Sequence, residues 1–228
     1  MEYALEADNL TKRYGKKTVL NQCTMRVPKG SVYGLIGDHG SGKTTLLRLI
    51  CGLQGPTAGG YSIFGIRNTK KELEQVRRRM GAVVEAPALY RNMTAEENLR
   101  QQFLVRGLAP DGRIGDLLER VGLEAAGKKK VKHFSPEMCQ RLGFAMAMAG
   151  LPDFLVLDDP ARGLDQQRAR EMGALIQKMN REHQVTCLLA CQERDELARI
   201  ATDYGVLERG RIVREMSAKD REAAGGDR

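Results

Sequence analysis

Apolar and polar positions along this chain change texture twice. Residues 2–9 and 19–27 carry β-type alternation, with turn signals at Tyr14-Gly15 and at Pro28-Lys29-Gly30. Val32, Leu35 and Ile36 then make a short apolar strand, and an apolar helix-compatible run follows from Thr44 to Ile50. Residues 52–60 are rich in Gly and Pro and read as a connection, after which Tyr61 to Ile66 predicts a strand. A charged helix is expected over Lys70 to Met80, and a strand over Gly81 to Glu85. From Ala86 the period becomes helical. Thr94 and Glu97 form a capping box ahead of Leu99, Phe103, Leu104 and Leu108, and Ile114, Leu117, Leu118 and Val121 mark a second helix closed by Gly122. A third starts at Ser135 as N-cap, with Pro136 at the first helical position, and runs to Gly150. Strand texture returns at Phe154 to Leu157, a continuous apolar run of the kind buried on both faces of a parallel sheet. Met172, Leu175, Ile176 and Met179 stripe one face of a helix over 166–183. Val185 to Ala190 is a further buried strand, 193–201 a helix, and 204–208 with 211–214 a hairpin around Gly210. The tail from Ser217 is polar.

The residues between the strand at Ser31–Ile36 and its helix carry the first chemistry. Gly37, Asp38, His39, Gly40, Ser41, Gly42, Lys43 and Thr44 have the spacing G-x-x-x-x-G-K-T, continued by Thr45. Glycines let consecutive amides curl around a phosphate, and the helix that begins there adds the positive end of its dipole. Lys43 is placed to reach the β- and γ-phosphates, and the Thr44 hydroxyl to ligate Mg²⁺. A plain glycine turn would account for the glycines, but not for Lys-Thr at this offset after an apolar strand.

Composition narrows the class without changing that reading. A chain of 228 residues is long enough for a substantial core without metal or disulfide staples. The net charge of +8 suits anionic partners, but aromatics make up only 5% and Trp is absent, which argues against a base-stacking nucleic-acid platform. The basic clusters at Arg77–Arg79 and Lys128–Lys130 read as solvated faces. The five cysteines form no C-x-x-C pair, so they are expected to be small apolar residues in a reducing compartment. The acidic start Met-Glu-Tyr-Ala-Leu-Glu is unlike a signal peptide, and the uncharged run Leu142 to Pro152 is too short to span a bilayer. The expected location is cytoplasmic, peripheral on the inner face of the cell membrane through another subunit.

Taken together, the motifs resemble the nucleotide-binding subunit of an ABC transporter over nearly the whole chain. Tyr14, in Leu-Thr-Lys-Arg-Tyr-Gly, falls where members place an aromatic that stacks on adenine, and Glu85 falls where most carry a glutamine that senses magnesium and the transmembrane partner. Phe134 to Leu142 aligns with the signature motif, Phe154 to Pro160 with Walker B, Gly163-Leu164-Asp165 with the D-loop, and Gln192 with the switch histidine. Glu85 followed by Ala-Pro-Ala-Leu-Tyr, and Met93 to Leu99, look like the bacitracin and lantibiotic resistance exporters. The resemblance implies an α/β fold: a P-loop NTPase core with mixed β-sheet, an N-terminal antiparallel β subdomain and an inserted α-helical subdomain. It divides this single domain into 1–85 with 151–216 as core, 86–150 as helical subdomain and 217–228 as tail. ATP and Mg²⁺ are the implied cofactors, with Thr44, Asp158 and Glu85 as metal ligands. The implied partners are a transmembrane permease and a second ATP-binding subunit, with no nucleic acid.

Four departures bear on catalysis. Asp159 replaces the glutamate that polarises the attacking water; it keeps the carboxylate but is one methylene shorter. Gln192 can donate a hydrogen bond to the γ-phosphate but cannot titrate. Glu85 remains a competent magnesium ligand. In the signature, Ser135 caps a helix expected to face the γ-phosphate held by the opposite subunit, Pro136 removes one amide donor, and Glu137 brings negative charge. Like charges about 4 Å apart repel by roughly 4 kcal/mol at an effective dielectric of about 20. The expectation is therefore firm Mg-ATP binding with slow unaided turnover, and pairing with a less altered ATPase. Three readings stand: the energy-coupling ATPase of an exporter, an ATP-binding regulatory subunit with little hydrolysis, and a small-molecule P-loop kinase. The Gln-Arg-Leu continuation of the signature and the Gly-Leu-Asp after Walker B argue against the last.

Overall fold

The computed structural model describes residues 2–110, 112–192, 199–217 and 220. Two sheets share the core. The first is antiparallel throughout, in the order β2-β1-β4-β5. Its long hairpin of β1 (Tyr3–Tyr14) and β2 (Lys17–Pro28) closes at the pair Tyr14↔Lys17, with Gly15 at φ 56 in the two-residue turn. Both strands outrun the alternation that predicted them. The single strand expected over 61–66 is two strands, β4 (Ala58–Ile63) and β5 (Ile66–Arg67). Phe64 at φ 46 and Gly65 at φ 77 reverse the chain between them, and two successive positive φ angles are what a two-residue hairpin turn demands. The run looked continuous because an apolar Phe occupies half of the turn.

The second sheet is mixed, as expected. Its order is β10-β9-β3-β8-β7-β6, with β3 (Val32–Ile36), β6 (Met80–Val83), β7 (Phe154–Asp158), β8 (Thr186–Cys191) and β9 (Asp203–Glu208) parallel. Only β10 (Arg211–Ser217) runs antiparallel, as the hairpin partner of β9. Every residue of β3, β7 and β8 is buried, which is why these segments read as unbroken apolar runs. Their side chains alternate between two cores. Phe154, Val156, Leu188 and Ala190 pack with the first sheet and with α1 (Lys43–Ile50). Leu155, Leu157 and Leu189 pack instead with α3 (Ala95–Val105), α4 (Arg113–Arg120), α5 (Pro136–Met148) and α6 (Gln166–His183).

Local signals set the helix ends. The Thr94–Glu97 capping box is formed in both directions, at 3.2 Å and 2.7 Å. Ser135 caps α5 by accepting from Met138 N–H at 3.2 Å. The charged helix expected over 70–80 is shortened to α2 (Leu73–Arg78), and the strand expected over 81–85 begins at Met80 and ends at Val83, leaving Glu85 in a turn at φ 68. Most of the helix expected over 193–201, and most of the tail from Ser217, lie outside the described residues. All five cysteines are free thiols, and burial pushes Cys23, Cys51 and Cys187 up to about 12, so these three are packing residues and not nucleophiles. Among the described residues no helix is long and apolar enough to cross a membrane.

Candidate functional site

A cleft of about 790 Å³ opens where β3, β7 and β8 end and α1 begins. The glycine-rich loop forms its floor, and the loop's shape is dictated by contact. A Cβ on Gly37 would lie 2.4 Å from the Leu207 carbonyl oxygen, and one on Gly42 3.0 Å from Leu20 and 3.1 Å from the Val19 carbonyl oxygen. Gly42 also has φ 114, open to glycine and costly for other residues. The loop is further tied down by Gly210 N–H donating to the Ser41 carbonyl at 3.0 Å. Helix α1 therefore starts with no side-chain cap and no acidic residue in its first turn, leaving its first amides directed into the cleft. The Ser41 hydroxyl is buried with no hydrogen-bond partner. The Lys43 ammonium folds back onto the loop, donating to the Gly37 carbonyl at 2.5 Å and the Asp38 carbonyl at 3.0 Å. Uncapped amides, an orphan hydroxyl and a lysine spending its charge on carbonyls make a cradle suited to a polyphosphate.

The opposite wall brings together residues far apart in sequence. His39, Gly40, Gly42, Lys43, Thr44, Thr45, Glu85, Asp158, Asp159 and Gln192 all line the one cleft. Parallel pairing is the cause: Asp158 ends β7 opposite Ala190 of β8, and Asp159 N–H donates to the Ala190 carbonyl at 2.9 Å, which sets Gln192 beside the acidic pair. Asp158 is buried, whereas Asp159 is half-buried at φ 49, a left-handed conformation that turns it out of the strand direction. No group of three or more His, Cys, Asp or Glu among the described residues could hold a metal unaided. The Thr44 hydroxyl and the Asp158 carboxylate are hard oxygen donors suited to Mg²⁺ completed by phosphate oxygens and water.

Three expected site residues have surroundings that sequence does not reveal. The Glu85 carboxylate is bonded to the Arg48 guanidinium, which projects from α1 into the same cleft. Tyr14 sits at the hairpin tip outside the residues lining the cleft; its hydroxyl bonds Gln54, and the Lys12 ammonium lies 5.2 Å from its ring centroid. Lys17 and Val19 of the same hairpin do reach the cleft wall. Ser135 lies outside the cleft of its own chain, on the exposed start of α5. Beside it, the Glu137 carboxylate, expected to bring negative charge to this helix end, is ion-paired. One carboxylate oxygen meets Arg141 Nε at 3.0 Å and the other Arg168 Nε at 3.0 Å, while Arg141 also reaches Glu171 at 2.6 Å. The i,i+4 spacing to Arg141 was available in the sequence; the approach of Arg168, from the first turn of α6, was not.

Comparison with known proteins agrees with this geometry. Residues 20–162 match the family model described as ABC transporter. The bacitracin transport ATP-binding protein BcrA of Enterococcus faecalis is 36% identical over 220 residues, spanning 96% of this chain and 71% of that protein. The lantibiotic transport ATP-binding protein SrtF of Streptococcus pyogenes is 35% identical over 211 residues, spanning 92% and 90%. A solved dimeric structure of an ATP-binding cassette in a post-hydrolysis state, bound to ADP and Pi, superposes with a TM-score of 0.82 at 26% identity, covering 93% of this chain and 98% of that one.

Proposed function

The chain belongs to the ABC transporter family as an ATP-binding ATPase subunit, and from that premise we propose that it drives export through a separate membrane permease, in a system conferring resistance to an antimicrobial peptide or drug. Similarity to bacitracin and lantibiotic transport proteins supports the substrate class. Similarity to a dimeric cassette supports a two-subunit assembly. On this reading the subunit sits at the inner membrane face, with 1–85 and 151–216 as its core and 86–150 as its helical subdomain.

The observation that carries the reading is the single cleft joining Lys43 and Thr44 to Asp158, Asp159 and Gln192. The loop amides and Lys43 bind and orient the triphosphate, exchanging carbonyl contacts for phosphate oxygens. Thr44 and Asp158 would hold Mg²⁺, which when bound neutralises charge developing on the β- and γ-phosphates. Asp159 accepts a proton from the attacking water, and the Gln192 amide donates to the γ-phosphate and fixes that water's approach. Ser135 and the first amides of α5 complete the site of the facing subunit. The test is Mg²⁺-dependent ATP hydrolysis by the protein co-purified with its permease. Hydrolysis stimulated by the permease and lost in Asp159→Asn is expected; ATP binding without any permease-stimulated hydrolysis would overturn the coupling reading.

A further inference from the structure

Glu85 presents a chemical difficulty. It puts a carboxylate on the wall of a cleft whose floor is built for a polyphosphate, in the company of Asp158 and Asp159. An uncompensated carboxylate there repels ATP whenever no metal ion is present to bridge them. Lys17, Lys43 and Arg162 also line the cleft, and Arg48 is the residue bonded to Glu85 itself. Arg48 leaves α1 one turn beyond Lys43 and Thr44, between Leu47 and Leu49, both fully buried, so its backbone is fixed by the core. Its guanidinium is bonded to Glu85, and both side chains line the cleft. Glu85 itself is held at φ 68, an unusual conformation for a residue with a Cβ, and is followed by a tight Ala86 N–H to Val84 carbonyl bond at 3.0 Å. The pair is thus formed by a rigid helix on one side and a constrained turn on the other.

We propose that Arg48 is a positioning residue that neutralises Glu85, holding its carboxylate off the incoming phosphates until a metal ion can take it, so that the Arg48–Glu85 pair sets how strongly ATP affinity depends on Mg²⁺. The inference rests on Mg-ATP as occupant of the cleft. Its signature is coupling: Arg48 acts through Glu85, so its contribution disappears when Glu85 is made neutral. A lysine at position 48 keeps the charge but loses the planar fork, and recovers part of the effect.

The experiment is calorimetric titration of ATP into wild type, Arg48→Ala, Arg48→Lys, Glu85→Gln and the double variant Arg48→Ala with Glu85→Gln, each with excess Mg²⁺ and with EDTA. In EDTA, Arg48→Ala is expected to weaken ATP about tenfold, on the scale of one partly solvated charge about 6 Å away, since the Glu85 side chain is 56% exposed. With Mg²⁺ the loss shrinks severalfold, Arg48→Lys falls between, and the double variant returns to within about threefold of Glu85→Gln. Glu85→Gln alone is expected to leave metal-free ATP affinity near that of wild type and to shrink the gain on adding Mg²⁺, because the carboxylate that a metal ion would take is gone. An equal loss from Arg48→Ala whether or not Glu85→Gln is also present, or a loss independent of metal, would overturn the proposal. Should Arg48→Ala fail to fold, a gain in ATP affinity on adding Mg²⁺ that is as large in Glu85→Gln as in wild type overturns it by itself. Wild type that binds no ATP in either buffer would instead sink the nucleotide reading and this inference with it.

Discussion

The floor of the nucleotide cleft and the start of α5 are both built around the end of a helix, yet they manage charge in opposite ways. Helix α1 begins with no cap, no acid and a basic residue, and its amides are left open to an outside anion. Helix α5 begins with a serine cap, a proline and Glu137, so its end is already served from within. The difference shows where each region is committed. The α1 end is completed by a ligand, and the strands beneath it are fully buried to hold it still. The α5 end is completed by the protein's own ion pairs, to Arg141 within the helix and to Arg168, which joins it to α6. On the proposed reading, binding belongs to one region, while closure over the nucleotide would involve a region with its own electrostatic ties.

The largest effect expected is on the cleft's acidic wall. Asp159→Asn should leave ATP affinity within about twofold and lower permease-stimulated turnover by about 10² to 10⁴, the usual range for losing a positioned base. Single-turnover hydrolysis alongside equilibrium ATP binding measures both; an unchanged turnover would move the base elsewhere. Lys43→Ala should act on the other quantity. Losing a charge-assisted contact costs roughly 1.5–3 kcal/mol, which weakens ATP binding by about ten- to a hundredfold by calorimetry. If both variants changed the same parameter, the cleft would not divide into a gripping half and a cleaving half.

A smaller effect is expected far from the nucleotide. Thr94→Ala removes the hydroxyl that caps α3 at Glu97 N–H and should cost about 1 kcal/mol of stability. Thr94 also holds the Glu97 carboxyl below its ordinary value, by its backbone N–H first and its side chain second. A carboxyl held low in the folded state adds stability at neutral pH, and that share fades as pH falls below the ordinary glutamate range. Denaturant midpoints of wild type should therefore drop on acidification by more than those of Thr94→Ala. Equal acid sensitivity would mean that the Thr94 hydroxyl adds nothing measurable to the pH dependence, which the Thr94 backbone N–H then carries alone.

Much of this division was legible in the sequence, and for a physical reason. Gly37 to Thr44 is a local motif, set by the backbone of consecutive residues, and β3, β7 and β8 announce themselves because burial on both faces leaves no polar position. The family resemblance points Asp158, Asp159 and Gln192 to one site, and parallel strands ending at the same edge are why the structure brings them together. The reversal at Phe64-Gly65 was hidden by an apolar residue in a turn. Partners brought in by packing were hidden altogether: Arg48 for Glu85, Arg168 for Glu137, and Lys12 with Gln54 for Tyr14. Long side chains meet across elements in ways that no spacing rule encodes, so the charges were visible and their neutralisation was not.

The smallest expected effect tests that last point most directly. If Glu137 confronted the facing γ-phosphate unpaired, removing its charge would relieve roughly 4 kcal/mol of repulsion and raise nucleotide-driven dimerisation or turnover by about a thousandfold. With its two oxygens bonded to Arg141 and Arg168, which also pair with Glu171 and Asp165, and its side chain only 21% exposed, Glu137 belongs to an ion-pair network that reduces the field it sends toward the helix end. Glu137→Gln should then change ATP-dependent dimerisation by less than about threefold, since an amide oxygen still accepts from one guanidinium. Arg168→Ala should have the larger consequence of the two, because it leaves Glu137 with Arg141 alone and removes one of the ion pairs that join α5 to α6, Arg141–Glu171 being another. Sedimentation of both variants with ATP in low and high salt separates the two accounts. A large gain for Glu137→Gln that vanishes in salt would restore the repulsion, whereas near-silence there with weakened dimerisation in Arg168→Ala is the outcome the ion pairs require.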